Sequence, residues 1–264
     1  MKRVLIGITA IPIVVGIVWY GSSLLFFVLV SLAVLIACQE YFRMLENTGI
    51  SGYPICGTVL AFLFLLSFYF KGNYFFEWGV VANLALFISW FLSGRDVKSA
   101  LADISGTLFG VMYVAGLSGY FLLIRELEMG HAWILFLFAI VWLGDTGAYY
   151  GGRNFGKTPL APSVSPNKTI EGAVSGLLGS LVGAGLMQIW LLPEVPLVHC
   201  LIVALVCGII GQFGDLAESL LKRNAGVKDS GNLIPGHGGV LDRIDSLLFA
   251  GPAFYLCYKL LIAQ

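Results

Sequence analysis

Apolar stretches of membrane-crossing length recur nine times along this chain, and they restrict its fold more than any other feature. A helix needs about 20 mostly apolar residues to span the hydrocarbon of a bilayer. Stretches of this kind cover 4–20, 24–42, 54–70, 74–93, 104–124, 132–150, 171–192, 197–221 and 246–262. Only 11% of the 264 residues are charged, against roughly 25% in a soluble domain. The expectation is an all-α polytopic integral membrane protein with about nine transmembrane helices. The start, MKRVLIGITA, is basic and then apolar like a signal peptide. The apolar run continues past it without a small-x-small cleavage site, so a retained first helix is expected. Gly21-Ser22-Ser23 then forms a tight turn into the second.

Lysine and arginine in the connections set the orientation. With the N-terminus cytoplasmic, that side holds Lys2, Arg3, Arg43, Arg95, Lys98, Arg153, Lys157, Lys168, Lys222, Arg223, Lys228 and Arg243. The other side holds Lys71, Arg125 and Lys259. Nine spans then put the C-terminus outside. Two long polar connections, 151–170 and 222–245, face the cytoplasm, the plasma (inner) membrane being the location if the source is bacterial. On this topology Asn167-Lys168-Thr169, a glycosylation pattern, never meets the glycosylation machinery. Residues 1–130 read as scaffold helices, with charges at helix ends and Trp19, Trp78 and Trp90 as an interfacial belt. Residues 131–264 read as the catalytic region. The net charge of zero excludes a general nucleic-acid binder. The five cysteines form no CxxC pair, so neither a zinc site nor a disulfide frame is expected.

Against this background, nine charged side chains crowd into 215–245: Asp215, Glu218, Lys222, Arg223, Lys228, Asp229, Asp242, Arg243 and Asp245. Asp215, Ser219 and Lys222 share a helix face, with Glu218 beside them. An ionisable group at membrane depth is costly and marks function unless it is an internal ion pair, here with Lys222. Asp242 and Asp245 open the last helix at i, i+3. They serve either as caps or as a carboxylate pair for a hard cation such as Mg²⁺, which takes one or two carboxylates plus substrate phosphates. Gly236, Gly238 and Gly239 permit backbone conformations that point N–H groups at an anion. His237 is open to three roles: general base, phosphate donor or structural hydrogen-bonder.

The other polar connection starts from Gly144-Asp145-Thr146-Gly147 inside the sixth stretch. Asp145 lies at membrane depth, and Lys157 and Lys168 are candidates for phosphates. Ser165 to Glu171 reads either as site or as the cap and first turn of the seventh span. That span carries Gly172, Gly176, Gly179, Gly183 and Gly185, and the eighth carries Gly208, Gly211 and Gly214. Small residues let helices approach closely in lipid. The two spans are expected to pack tightly, within one copy or across a homodimer, and to bring the two polar connections together.

At these residues the chain resembles the phosphatidate cytidylyltransferase (CDP-diacylglycerol synthase) family. The resemblance rests on Ser219-x-Leu221-Lys222-Arg223, Lys228-Asp229-x-Gly231, Leu233 or Ile234 with Pro235, and His237-Gly238-Gly239-Val240-x-Asp242-Arg243-Ile244-Asp245. The stretches Gly144 to Tyr149 and Ser165 to Gly172 add to it. It covers about 142–172 and 211–246. It implies transfer of CMP from CTP to phosphatidate with Mg²⁺, giving CDP-diacylglycerol and pyrophosphate. Asp215, Asp242 and Asp245 are then expected to hold metal, one cation or two, with Asp229 and Asp145 adding to the site. Lys222, Arg223, Lys228 and Lys168 would neutralise the triphosphate, with Lys157, Arg243, Gly238 and Gly239 near it. Ser219 would bind a metal or phosphate oxygen. Positioning and charge neutralisation supply most of the catalysis in such transfers. A secondary transporter predicts related motifs in both halves, and residues 1–130 contain no counterpart of 215–245. CDP-alcohol phosphotransferases and prenyltransferases place their acidic clusters in other patterns.

Overall fold

Lipid offers no partner to a backbone amide, so apolar stretches close their hydrogen bonds within helices. The computed structural model of the chain describes residues 2–71, 74–233 and 238–263, with side chains from Ile11 onward. Its helices are α1 (Lys2–Tyr20), α2 (Ser23–Asn47), α3 (Pro54–Tyr69), α4 (Phe75–Ser93), α5 (Ala100–Val111), α6 (Tyr120–Arg125), α7 (Gly130–Phe155), α8 (Ile170–Leu191), α9 (Leu197–Asn224) and α10 (Leu241–Leu261). A 3-10 turn at Val97–Ser99 leads into α5, and a π turn at Met112–Gly116 follows it before α6. The sequence supplies the ends. Ser22 Oγ accepts from Leu25 N at the start of α2 (3.2 Å). Pro54 opens α3, where its missing N–H costs nothing. Gly94, at φ +63°, closes α4 in the left-handed conformation a C-terminal glycine tolerates.

Among the described residues, seven helical segments are long and apolar enough to cross a membrane. They are Ser23–Asn47, Phe75–Ser93, Val97–Arg125, Gly130–Phe155, Ile170–Leu191, Leu197–Asn224 and Leu241–Leu261. The chain is thus a predominantly helical integral membrane protein. Pro54–Tyr69 is apolar but has 16 residues. At 1.5 Å per residue it reaches roughly 24 Å, short of the ~30 Å hydrocarbon thickness.

One element departs from the all-α expectation. In the first polar connection, β1 (Pro159–Ala161) and β2 (Ser165–Thr169) form an antiparallel hairpin, with Pro159 opposite Thr169 and Ala161 opposite Ser165. The connection is also shorter than its polarity suggests, because α7 stays helical to Phe155.

The chain folds as two compact units that interleave along the sequence. One comprises 1–12, 21–123 and 221–243; the other comprises 13–20, 124–220 and 244–264. In the first unit Tyr41 of α2 donates its hydroxyl to Gly106 O of α5 (2.9 Å). Trp78 is buried rather than interfacial. It stacks on Phe64 (ring centroids 3.8 Å apart) and donates Nε1 to Leu60 O (3.0 Å). An indole N–H inside apolar packing needs such an acceptor.

In the second unit α7 and α8 approach along small residues. A Cβ at Gly147 would stand 2.6 Å from Ser175 O, and one at Gly144 would stand 2.6 Å from Ser180 Oγ. Gly172, Gly176, Gly179 and Gly183 of α8 meet Ala148 O, Gly144 O, Leu143 O and Ala139 O of α7. Ser180 Oγ donates to Ile140 O across the same seam (2.8 Å). The glycine face of α8, expected to serve α9, therefore serves mainly α7. On α9 the glycines divide: Gly208 meets Ser180 and Leu177 of α8, while Gly211 and Gly214 meet Ser246 O and Asp245 O of α10.

Candidate active site

Each unit holds one cluster of charged groups drawn from the polar connections. In the first unit the cluster is built at the start of α10. The Asp242 carboxylate is paired on Oδ1 with Lys222 Nζ at 2.7 Å, and both side chains are buried. Its Oδ2 accepts from Gly239 N (2.7 Å), Ser230 N (2.9 Å) and Ser230 Oγ (2.8 Å). A buried ion pair is tolerable only when the remaining lone pairs find donors, and Asp242 finds three. Glu40 of α2 joins from 190 residues away in sequence. Its carboxylate accepts from Val240 N (3.0 Å) and Leu241 N (2.8 Å) and shares the single Ser230 hydroxyl proton with Asp242, at 3.3 Å against 2.8 Å. The glycines of the connection make room for these carboxylates. Gly238, at φ +79°, lies against Asp242, and Gly239 lies against Ser230 and Glu40. Of the three loop glycines expected to face an anion, Gly239 gives its N–H to the protein's own Asp242 carboxylate.

Around this core Arg223, Lys228, Asp229 and Arg243 are exposed. Arg223 also donates to Val227 O (3.3 Å). His237 lies outside the described residues, as do Gly236, Pro235 and Ile234.

The second unit holds a cavity of about 520 Å³. Asp145, Tyr149 and Arg153 of α7 line it, with Lys168 of the hairpin and Gln212 and Asp215 of α9. Lys168 Nζ meets Asp215 Oδ2 at 2.5 Å. Lys168, just before α8, thus meets α9 at Asp215. The hairpin that carries Lys168 is held at its root. Glu171 accepts from Lys157 N (3.0 Å), Thr158 N (3.1 Å) and Thr158 Oγ1 (2.9 Å), and Thr169 Oγ1 caps α8 through Gly172 N (3.1 Å). Here Lys157 contributes its amide, while its side chain is exposed. Thr169 and Glu171 therefore do form a cap and first turn, and Lys168 beside them still reaches into the cavity.

In the same unit Asp245 is within electrostatic reach of Asp215, Glu218 and Asp145. Glu218 and Ser219 are buried. Carboxylates this close repel unless cations intervene, and the Lys168 ammonium already supplies one positive charge at Asp215. The donor set is hard oxygen throughout, the kind Mg²⁺ takes. Among the described residues no group of three or more His, Cys, Asp and Glu side chains is drawn together as a ready metal cage.

Asp242 and Asp245, paired on paper by their i, i+3 spacing, therefore take part in different clusters. Asp242 organises a loop, and Asp245 joins the acidic group. Sequence reasoning missed Glu40, Ser230 and Gln212. Glu40 carried a usable signal, being an acid inside an apolar helix, the same argument that singled out Asp145 and Asp215.

Comparison with known proteins agrees along the whole chain. The model of the family described as "Cytidylyltransferase family" matches residues 1–261. The phosphatidate cytidylyltransferase of Bacillus subtilis (strain 168) is 35% identical, covering 98% of this chain and 97% of that protein. That of Synechocystis sp. is 33% identical over 92% of this chain and 90% of its own length. The chloroplastic phosphatidate cytidylyltransferase 4 of Arabidopsis thaliana is 33% identical, covering 98% of this chain and 73% of that protein. With a family match over residues 1–261, and relatives 33–35% identical over 92–98% of this chain, the chain belongs to the cytidylyltransferase family.

Proposed function

We propose that this chain transfers CMP from CTP to phosphatidate within the bilayer, forming CDP-diacylglycerol and releasing pyrophosphate. The observation that carries the reading is the cavity of the second unit. It sets Lys168 and Arg153 beside Asp145 and Asp215, so cationic side chains for phosphates share a wall with oxygen donors for a cation. A phosphate oxygen of phosphatidate attacks the α-phosphorus of CTP. The new P–O bond forms as the bond to the β-phosphate bridge breaks, and the electron pair leaves with pyrophosphate. The nucleophile is already an oxyanion at neutral pH, so no general base is required. What the protein must supply is proximity and charge neutralisation.

Lys168 and Arg153 meet the phosphates in the cavity; Lys222, Arg223, Lys228 and Arg243 are further candidates for phosphate by the family resemblance. Asp215 and Asp245 are the proposed ligands of Mg²⁺, with Asp145 and Glu218 near, and Asp242 holds the Lys222 side chain in place. Bound Mg²⁺ would offset charge on the triphosphate and on the leaving pyrophosphate. The proposed topology has nine spans, a cytoplasmic N-terminus, an external C-terminus and the site facing the cytoplasm, in the plasma (inner) membrane if the source is bacterial. CTP then arrives from water while the acyl chains of phosphatidate stay in lipid. The reading holds for one copy or for a homodimer.

The test is incorporation of label from CTP into a chloroform-extractable product by the purified protein in liposomes. Label should enter lipid with phosphatidate and not with diacylglycerol, which lacks the attacking phosphate. Equal incorporation with both lipids, or none with either, would remove the proposal.

A further inference from the structure

Glu40 has no role in the chemistry described above, yet its surroundings are built around it. It lies on α2 among apolar neighbours and is 3% exposed. A carboxylate there is costly unless its oxygens are satisfied. Two backbone donors of the second polar connection satisfy it, Val240 N and Leu241 N, and the Ser230 hydroxyl, whose one proton it shares with Asp242, lies 3.3 Å away. Val240 N and Leu241 N belong to the first turn of α10, whose amides have no partner within the helix and whose dipole favours a negative charge. The loop is shaped to the carboxylate. A Cβ at Gly231 would stand 2.6 Å from Glu40 Oε1, and its three nearest atoms would all belong to Glu40.

We propose that Glu40 is a positioning residue of the transfer reaction. It pins the start of α10 and the Ser230 hydroxyl, and through Ser230 and Asp242 it fixes where the Lys222 ammonium sits. The proposal rests on the cytidylyltransfer reading and deepens it. It also reassigns the loop's backbone. The N–H groups of Gly239, Val240 and Leu241 are taken by Asp242 and Glu40, so these three do not serve a substrate phosphate.

The experiment uses the full-length protein in detergent, comparing wild type, Glu40→Gln, Glu40→Ala, Gly231→Ala and the Glu40→Ala/Gly231→Ala double variant. The readouts are kcat, KM for CTP, thermal midpoint and amide hydrogen exchange at Val240 and Leu241. Glutamine keeps the shape but turns an N–H₂ toward one of the two amides. Its kcat should fall between about tenfold and a hundredfold, the loss a small misplacement brings. KM for CTP should move by less than about threefold, and exchange at Val240 and Leu241 should rise. Gly231→Ala should lower kcat in the wild-type background and add nothing once Glu40 is alanine, because the two act through one contact. A Glu40→Gln enzyme with kcat within about twofold of wild type would overturn the proposal. So would a fall in thermal midpoint alone, with kcat per folded molecule unchanged, since Glu40 would then be merely structural. Failure of wild type to turn over CTP would remove the cytidylyltransfer reading instead, and the exchange data would still judge the Glu40 contact.

Discussion

At the scale of single residues, two lysine–aspartate pairs look alike on paper and should behave differently. Lys222 and Asp242 are buried, with side chains 11% and 6% exposed. Removing one partner strands the other's charge, so Asp242→Asn should destabilise the protein by roughly 3–5 kcal/mol. Lys222→Met added to Asp242→Asn should recover part of that loss, measured as urea or thermal unfolding in detergent; a double variant no more stable than the single would contradict the buried-pair account. Lys168 and Asp215 are 29% and 33% exposed. Such a pair contributes about 0–1 kcal/mol, so Lys168→Met should fold normally. It should nevertheless lose about a hundredfold or more in kcat/KM for CTP, the typical cost of removing an aligned charge from a transition state. A Lys168→Met enzyme with full activity would show that the cavity is not where the triphosphate is neutralised. Asp145 and Asp215 stood out in the sequence because charge at membrane depth is conspicuous, and Lys168 because it lies in a polar connection. Glu40 obeyed the same rule, but its partners lie about 200 residues away, and nothing local in ACQEYFRMLEN announces them.

At the scale of elements, the helix seam between α7 and α8 offers a contrast within one helix. Gly179 stands against the Leu143 backbone, whereas a Cβ at Gly185 would meet nothing within 4 Å. Gly185→Ala should therefore be neutral or gain about 0.5–1 kcal/mol from the helix preference of alanine. Gly179→Ala must push α7 away and should cost about 1–3 kcal/mol, as overpacking does. Equal thermal midpoints for the two variants would argue against the seam. The helices themselves were readable because an apolar run of about 20 residues has few alternatives in lipid. Their partners were not. A row of glycines says that a helix is approached closely and leaves open by which neighbour. The hairpin at Pro159–Thr169 was hidden as well, since Pro159, Pro162 and Pro166 read as loop, and a strand pair this short has no alternating pattern to reveal it.

At the scale of the whole molecule, the account makes a topological claim and a chemical one. The lysine and arginine bias predicts that a cysteine placed at Lys157 or Lys228 is labelled from the cytoplasmic face and one at Lys71 from the opposite face, in sealed vesicles of each orientation. Lys71 and Lys157 labelled from one side would break the nine-span arrangement while leaving the site chemistry untouched. Family membership and the cavity speak to the reaction, and the acidic group around Asp245 speaks to its cation. The most direct measurement is phosphatidate-dependent formation of CDP-diacylglycerol by the purified protein, run with Mg²⁺, with EDTA, and with Asp215→Asn. The account predicts turnover in Mg²⁺, none in EDTA with recovery on adding Mg²⁺ back, and a loss of at least about a hundredfold in Asp215→Asn. Well-folded protein that turns over no CTP, or that works equally in EDTA, would contradict it.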